Sequence, residues 1–243
     1  MYMKWEESYK VRFHDTDAKE ILSPSGTFKY IQEAAMCQLY SQKPTYTDLL
    51  QQGKVYLLSA IRVEMYYPIY AYENIIARSW ACPSRGVSFT RSYEIERDGE
   101  IVCEAVSAWA LVSTKDKKLI KVEEADTSSY ATDEPVKTEH PLRIRIPSAL
   151  PMSLMGEYTV KYSDTDINGH MNNTNYADML CSYIPEIGSL RVKSVGINYS
   201  SEAKLGETVK VYMSKIDGKF YFRTVRSDGK TNVEAEFITE RLD

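Results

Sequence analysis

The chain has 243 residues, room for one large domain or two small ones. With 26% charged and 43% apolar residues, and 30 basic against 34 acidic side chains for a net charge of −4, its composition excludes a disordered or collagen-like chain. The mild acidity gives no general field for nucleic acid, and no apolar run approaches the roughly 18–20 residues of a membrane span.

Charges begin at Lys4, and the first residues lack the apolar core of a signal peptide, so a cytoplasmic setting is expected. Cys37, Cys82, Cys103 and Cys181 are scattered without CxxC spacing, and the histidines are His14, His140 and His170 alone. Neither a disulfide framework nor a zinc site fits that distribution. No cofactor is expected.

Taken in chain order, the elements repeat. Tyr9–Asp17 (YKVRFHDTD) returns as Tyr158–Asp166 (YTVKYSDTD) at an offset of 149 residues. Each copy leads into a helical pattern, read from Phe28, Ile31, Ala35 and Leu39 in the first half and from Tyr176, Met179, Leu180 and Tyr183 in the second. Ser25 or Thr27, and Asn173 or Thr174, supply the short polar side chains that start helices.

After each helix the period becomes alternating. Strands are predicted at 57–67, 75–82, 87–96 and 101–112, and again at 192–199, 208–215, 220–225 and 232–240. Asp98-Gly99, Asp217-Gly218 and Asp228-Gly229 are hairpin signals, because both central positions tolerate positive φ. The stretch 122–152 carries four prolines with many Ser and Thr residues, and it reads as an extended linker too polar for a core layer. The expected organisation is 1–121, a linker at 122–152, and 153–243.

Chemistry concentrates in Asp164–Tyr176 (DTDINGHMNNTNY), between a strand and a helix. In an extended segment Asp166, Asn168 and His170 point the same way, so three hydrogen-bonding groups converge. A helix beginning near Asn173 aims free amides at the same spot, suited to the oxygen of a polarised carbonyl. The repeat is an internal control: the first copy keeps Asp15 and Asp17 but has Lys19 at the Asn168 position and Ile21 at that of His170.

The string from Asp166 through Tyr176 resembles the Asp-x-Asn-x-His-x-Asn-Asn-x-x-Tyr pattern of the acyl-acyl carrier protein thioesterases. Ile197–Lys204 is similar to that family's acidic strand, with Glu202 at the acidic position and Ala203 where the family often has cysteine. Ser107–Ser113 followed by Lys117-Lys118-Leu119 resembles its Ser-x-Trp strand and basic turn. The resemblance covers nearly the whole chain. It implies an α+β fold of two tandem hotdog units, each a long helix wrapped by a curved antiparallel sheet, together a double hotdog. It also implies hydrolysis of fatty acyl-acyl carrier protein, with the acyl carrier protein and its acylated phosphopantetheine as partner and a monomer or homodimer as the assembly.

Aligning Ile61–Pro68 with Val195–Glu202 sets Pro68 opposite Glu202. The first half therefore lacks the Asn, His and Glu equivalents together, leaving one active site per chain and a first half that shapes the acyl pocket. Ala203 removes the family's cysteine, so attack by water is expected, with Glu202 as general base, His170 positioning water or thioester, Asp166 orienting and polarising His170, and Asn168 holding substrate or water; exchange of roles, with His170 taking the proton, is the alternative. Two alternatives are an acyl-CoA thioesterase of another pathway and a non-catalytic acyl-binding protein. Lys115–Lys121 reads as a solvated hairpin turn, with contact to an acidic carrier surface as its alternative, and His14 and His140 have no partnered context.

Overall fold

The computed structural model describes residues 4–127 and 129–242. The first half runs β1 (Trp5–Lys10), a 3-10 turn (Phe13–Asp15), α1 (Pro24–Ser41), α2 (Tyr46–Gln51), β2 (Lys54–Met65), β3 (Asn74–Ala81), β4 (Phe89–Arg97) and β5 (Glu100–Ser113). A short β6 (Leu119–Ile120) doubles back on β5. The second half repeats the plan with β7 (Ser153–Thr159), a 3-10 turn (Tyr162–Asp164), α3 (Asn175–Cys181), β8 (Leu190–Tyr199), β9 (Thr208–Ile216), β10 (Lys219–Arg226) and β11 (Thr231–Arg241).

All these strands form one antiparallel sheet in the order β1-β3-β4-β5-β2-β8-β11-β10-β9-β7. The order reads the same from either end once each strand is replaced by its repeat counterpart. The seam is β2 on β8, where Ile61 pairs with Ile197 and Val63 with Val195. Those four side chains are buried and belong to one hydrophobic core that runs through both halves. The two expected hotdog units are thus halves of a single sheet, a double hotdog.

Ser23 caps α1 by accepting from the Gly26 amide at 3.0 Å, and Pro24 occupies the first turn, where no amide hydrogen is needed. The buried face of α1 is Phe28, Ile31, Ala34 and Gln38. Ala35 and Leu39, expected on that face, are half-buried at its edge. The second helix is a correction to expectation: α3 is one of seven residues, not a long helix. Pro185 follows within a turn and Glu186 takes a left-handed φ of +56°, so the chain leaves the helix early. The missed α2 has a full capping box between Thr45 and Asp48.

Asp98-Gly99 and Asp217-Gly218 both have positive φ and close two-residue turns as expected. At Asp228-Gly229 only the glycine has positive φ, and the Arg226 amide donates to the Lys230 carbonyl at 2.9 Å around a three-residue loop.

The 122–152 segment does make a layer, on the sheet face opposite the helices. That face is polar yet buried, with Ser92, Arg62, Glu64, Ser194 and Glu236. The segment satisfies it through hydrogen bonds: Trp80 Nε1 donates to the Glu134 carbonyl, the Val136 amide to Ser92 Oγ, Arg62 Nε to the Pro141 carbonyl, and Asn198 Nδ2 to the Ile144 carbonyl. His140 acquires a partner here, Nδ1 lying 3.1 Å from the buried Glu64 Oε1. Arg62 also pairs with Glu236 at 2.9 Å. Polarity thus suits the segment to a face whose groups need partners.

Candidate active site

Residues 165–171 form a tight turn closed by a bridge between Thr165 and Met171, not the extended segment the spacing suggested. Asp166 organises it. Its carboxylate accepts from the Asn168 amide at 2.8 Å and the His170 amide at 3.4 Å, and Asn168 Nδ2 lies 3.4 Å from its second oxygen. Gly169 takes a φ of +73° at the corner. Asp166 therefore shapes the main chain, and its carboxylate is bound to the amide of His170 instead of the imidazole.

The imidazole instead meets Glu202, with Nδ1 and Oε2 3.3 Å apart. The bridge between His170 and Lys204, and the Met171 amide donating to the Ala203 carbonyl at 2.8 Å, hold the turn against the segment after β8. His170 is half-buried whereas the Glu202 side chain is 52% exposed, so water reaches the carboxylate beside a fixed imidazole. Asn168 stands exposed at the turn's tip. Of the four expected residues, the fold brings His170 and Glu202 into contact and ties Asn168 to them through Asp166.

The first copy has the same main-chain turn with different chemistry. Asp17 Oδ1 accepts from the Lys19 amide at 2.8 Å and the Ile21 amide at 3.3 Å, and Ile21 bridges Tyr70 as His170 bridges Lys204. The Lys19 ammonium sits 2.7 Å from Asp17 Oδ2. The aspartate recurs because the turn requires it, and histidine and glutamate do not recur because the turn folds without them.

Helix-terminal donors are fewer than expected. Asn172 Oδ1 accepts from the Thr174 amide at 3.0 Å and its carbonyl from the Asn175 amide at 3.0 Å, so both amides are taken within the first turn.

Behind Glu202 lies a buried polar network that the sequence reading missed. Asn232 Nδ2 donates to Tyr176 Oη at 3.1 Å and to the Ser201 carbonyl, while its Oδ1 accepts from Thr224 Oγ1 at 2.9 Å. The Ser200 amide donates to the Asn232 carbonyl at 2.9 Å. Burial above all pushes the Tyr176 phenol up to about 12, and nearby Glu207 and Glu202 add to it, so it stays a neutral hydroxyl. In the first copy Thr27 and Val102 stand at the Tyr176 and Asn232 positions, the latter taking the equivalent 2.9 Å bond from the Tyr66 amide. Carrying the repeat alignment as far as β11 exposes Asn232.

Thiols are poorly placed. Cys181 is buried in α3, and burial raises its thiol well above the ordinary cysteine range. Ala203, at the position where the resembled family often has cysteine, is fully buried in the core. The four cysteines are all free. His14 lies in a 3-10 turn edge-on to Phe13. The cluster Glu64, Glu139 and His140 holds ligand-type atoms within 4.8 Å of one another, but it forms where the 122–152 segment meets β2, on the opposite sheet face.

Residues 2–130 match the family model of the acyl-ACP thioesterase N-terminal domain, and residues 148–240 that of the C-terminal domain. The acyl-[acyl-carrier-protein] hydrolase FATB3, chloroplastic, of Cuphea viscosissima is 22% identical over 145 residues, covering 57% of this chain and 35% of the plant protein. The chain thus spans only about a third of that relative. An acyl-ACP thioesterase from Bacteroides thetaiotaomicron superposes with a TM-score of 0.88 at 20% identity, covering 98% of each chain. The 12:0-ACP thioesterase of Umbellularia californica gives 0.83 at 15% identity, over 100% of this chain and 99% of its own. At such identities these structures establish the shared fold.

Proposed function

Because this chain belongs to the acyl-ACP thioesterase family, we propose that it hydrolyses the thioester of fatty acyl-acyl carrier protein, releasing a free fatty acid and the carrier thiol. The observation that carries the reading is the His170–Glu202 contact at 3.3 Å, present in the second copy and replaced in the first by Ile21 and Pro68.

In the proposed step Glu202 takes a proton from a water molecule as its oxygen attacks the thioester carbonyl carbon. His170, beside that carboxylate, holds the general base in place and shares its proton. Collapse of the tetrahedral intermediate breaks the carbon–sulfur bond, and the proton held by the pair passes to the departing thiolate. Asn168 offers an amide donor at the exposed tip to water or the developing oxyanion. Asp166 is a positioning residue acting through the turn. The high thiol pKa of Cys181 and the buried Ala203 support water over cysteine as nucleophile.

Among the described residues no helix is long and apolar enough to cross a membrane, and four free thiols suit the reducing cytoplasm we propose as its setting. Both units of the sheet come from one chain, which supports a monomer as the working assembly. The test is release of thiol from one acyl group presented on carrier protein and on CoA. Preference for the carrier substrate is expected. Equal or better turnover of the CoA thioester replaces the carrier reading with an acyl-CoA thioesterase, and no turnover of either leaves an acyl-binding protein.

A further inference from the structure

On the sheet face under the 122–152 segment, one buried charge lacks a fixed counter-charge. Arg62 pairs with Glu236 at 2.9 Å, Lys219 with Glu236 at 3.6 Å and Lys193 with Glu240 at 3.4 Å. Glu64 has only 3% of its side chain exposed, and among the described residues its one ionic partner is the His140 imidazole. An imidazole, unlike a guanidinium or an ammonium, is not a fixed cation at neutral pH. The register adds to the excess. Glu64 stands directly opposite Glu104 on β5, whose carboxylate accepts from the Tyr66 hydroxyl at 2.6 Å, and like charges so placed repel. A buried carboxylate beside another, with no cation paired to it, is costly.

Docking of the segment does not require that charge. The repeat counterpart of Glu64 is Asn198, which holds the same segment with a neutral amide, Nδ2 donating to the Ile144 carbonyl at 3.0 Å. Glu64 carries a charge where an amide serves the other half.

Glu139 completes a ligand set. One ligand-type atom from each of Glu64, Glu139 and His140 lies within 4.8 Å of the others, and a cavity of about 500 Å³ opens onto all three. Glu64 and His140 form the fixed pair. Nδ1 and Oε1 are 3.1 Å apart, the His140 amide donates to the same oxygen at 3.2 Å, and Thr138 Oγ1 donates to the His140 carbonyl at 2.8 Å. Two donors each about 2.0–2.1 Å from a tetrahedral ion stand about 3.3–3.4 Å apart, so this pair is spaced to share one. Glu139 is exposed and reaches the third position from the cavity side. Two carboxylates and a neutral imidazole carry the charge that one divalent cation cancels.

We propose that Glu64, Glu139 and His140 bind a divalent transition cation, which fastens the 122–152 segment to β2 beside the β2–β8 seam. One nitrogen and two oxygens suit a zinc-type ion over magnesium, which prefers oxygen alone. The ion takes the place of the hydrogen bond between Nδ1 and Oε1, the ring proton standing on Nε2, and the cavity gives water the fourth position. The ligands come from β2 and a distant proline-rich stretch, so no ligand spacing marks the site in the sequence. The proposal is independent of the thioesterase reading.

The experiment uses the full chain freed of metal by a chelator and titrated with Zn²⁺ alone, read by competition with a chromogenic chelator and by thermal unfolding. One ion per chain is expected, with a melting temperature raised by about 5 °C at a hundredfold excess of Zn²⁺ over its Kd. Glu64→Gln and Glu139→Gln should each weaken binding at least about tenfold and abolish the thermal shift. Glu139 is exposed, so its variant should match the metal-free wild type in melting temperature and report on binding alone. His170→Ala should keep the full response. A wild type indifferent to Zn²⁺, or an unchanged response in Glu139→Gln, overturns the site. Loss of the response in His170→Ala overturns it in favour of the catalytic pair, and Mg²⁺ binding as tight as Zn²⁺ overturns the part given to the imidazole.

Discussion

The two halves of this molecule use one main-chain plan for different ends. Each has a strand, a 3-10 turn, an aspartate-bound turn and a helix, and the hydrogen bonds from Asp17 and Asp166 agree to within 0.1 Å at both amides. What differs is a small set of side chains around that frame: Lys19, Ile21, Pro68, Thr27 and Val102 against Asn168, His170, Glu202, Tyr176 and Asn232. The comparison sorts a motif that looks uniform in sequence. Asp166 is the part both halves need to fold, and His170 with Glu202 is the part that only one half carries.

The sharpest break in that comparison is at the contact itself. His170→Ala and Glu202→Gln should each lower kcat about 10²- to 10⁴-fold, the usual share of a general acid or base, while the melting temperature moves little because both lie in a polar, partly exposed site. His14→Ala is the paired control and should retain most activity. A well-folded Glu202→Gln enzyme of near-normal turnover would falsify the assignment of the base.

Next in size is Asn232→Val, which gives the second copy the first copy's residue. It leaves the Ser201 carbonyl and the Thr224 and Tyr176 hydroxyls short of a buried partner, a loss of roughly 1–3 kcal/mol. We expect kcat to fall about tenfold as the Glu202 segment loosens, whereas Glu202 stays in place if the variant loses stability alone. The reciprocal Val102→Asn should destabilise the first half by a similar roughly 1–3 kcal/mol with no change in kcat. Urea denaturation and steady-state kinetics on the pair separate the two effects.

The aspartates give a more even contrast. Asp17→Ala and Asp166→Ala each remove a carboxylate bound to two main-chain amides, so each should cost about 1–3 kcal/mol of stability. Only the second should lower turnover. Similar kinetic losses from both would mean that the first turn also bears on the reaction.

Smaller still is the division of labour between the halves. Substitutions at Ile31, Ala35 and Leu39 on α1 should shift acyl chain-length preference, by about 0.8 kcal/mol per methylene accommodated, more than they change the chemical step. A kcat/KM profile across chain lengths checks this, and a uniform drop at every length assigns the pocket to the second half instead. The least effect is expected from replacing all four cysteines by alanine. Activity should persist, and an acyl-cysteine adduct seen by mass spectrometry would overturn attack by water.

Much of the fold was legible in sequence because sheet alternation and hairpin glycines are local signals. The eight predicted strands fall within a few residues of those observed, and Asp98-Gly99 and Asp217-Gly218 turn as their dihedral freedom requires. What was illegible depends on contacts far apart in the chain. Arg62 and Glu64 look like solvent-facing strand residues until the linker's Pro141 carbonyl and His140 ring are laid over them. Asn168 and His170 looked parallel in an extended segment because Asp166's bonds to two amides, which fold the turn, leave no periodic trace. Asn232 sits in an ordinary alternating strand, and only its partner Tyr176, on a distant helix, gives it meaning.

The β2–β8 seam has a consequence for how such a site comes to stand alone. Two identical units meeting across that seam would be bound by symmetry: every substitution would occur twice, and no turn could lose its histidine without its twin losing it as well. With both units on one chain, the seam is intramolecular and the symmetry is lifted. One copy became free to carry Lys19, Ile21 and Pro68 while the other kept its imidazole and carboxylate. The tether also makes the pairing independent of protein concentration, because each half meets a partner held permanently within reach. Dilution that separates a two-chain assembly leaves this one whole.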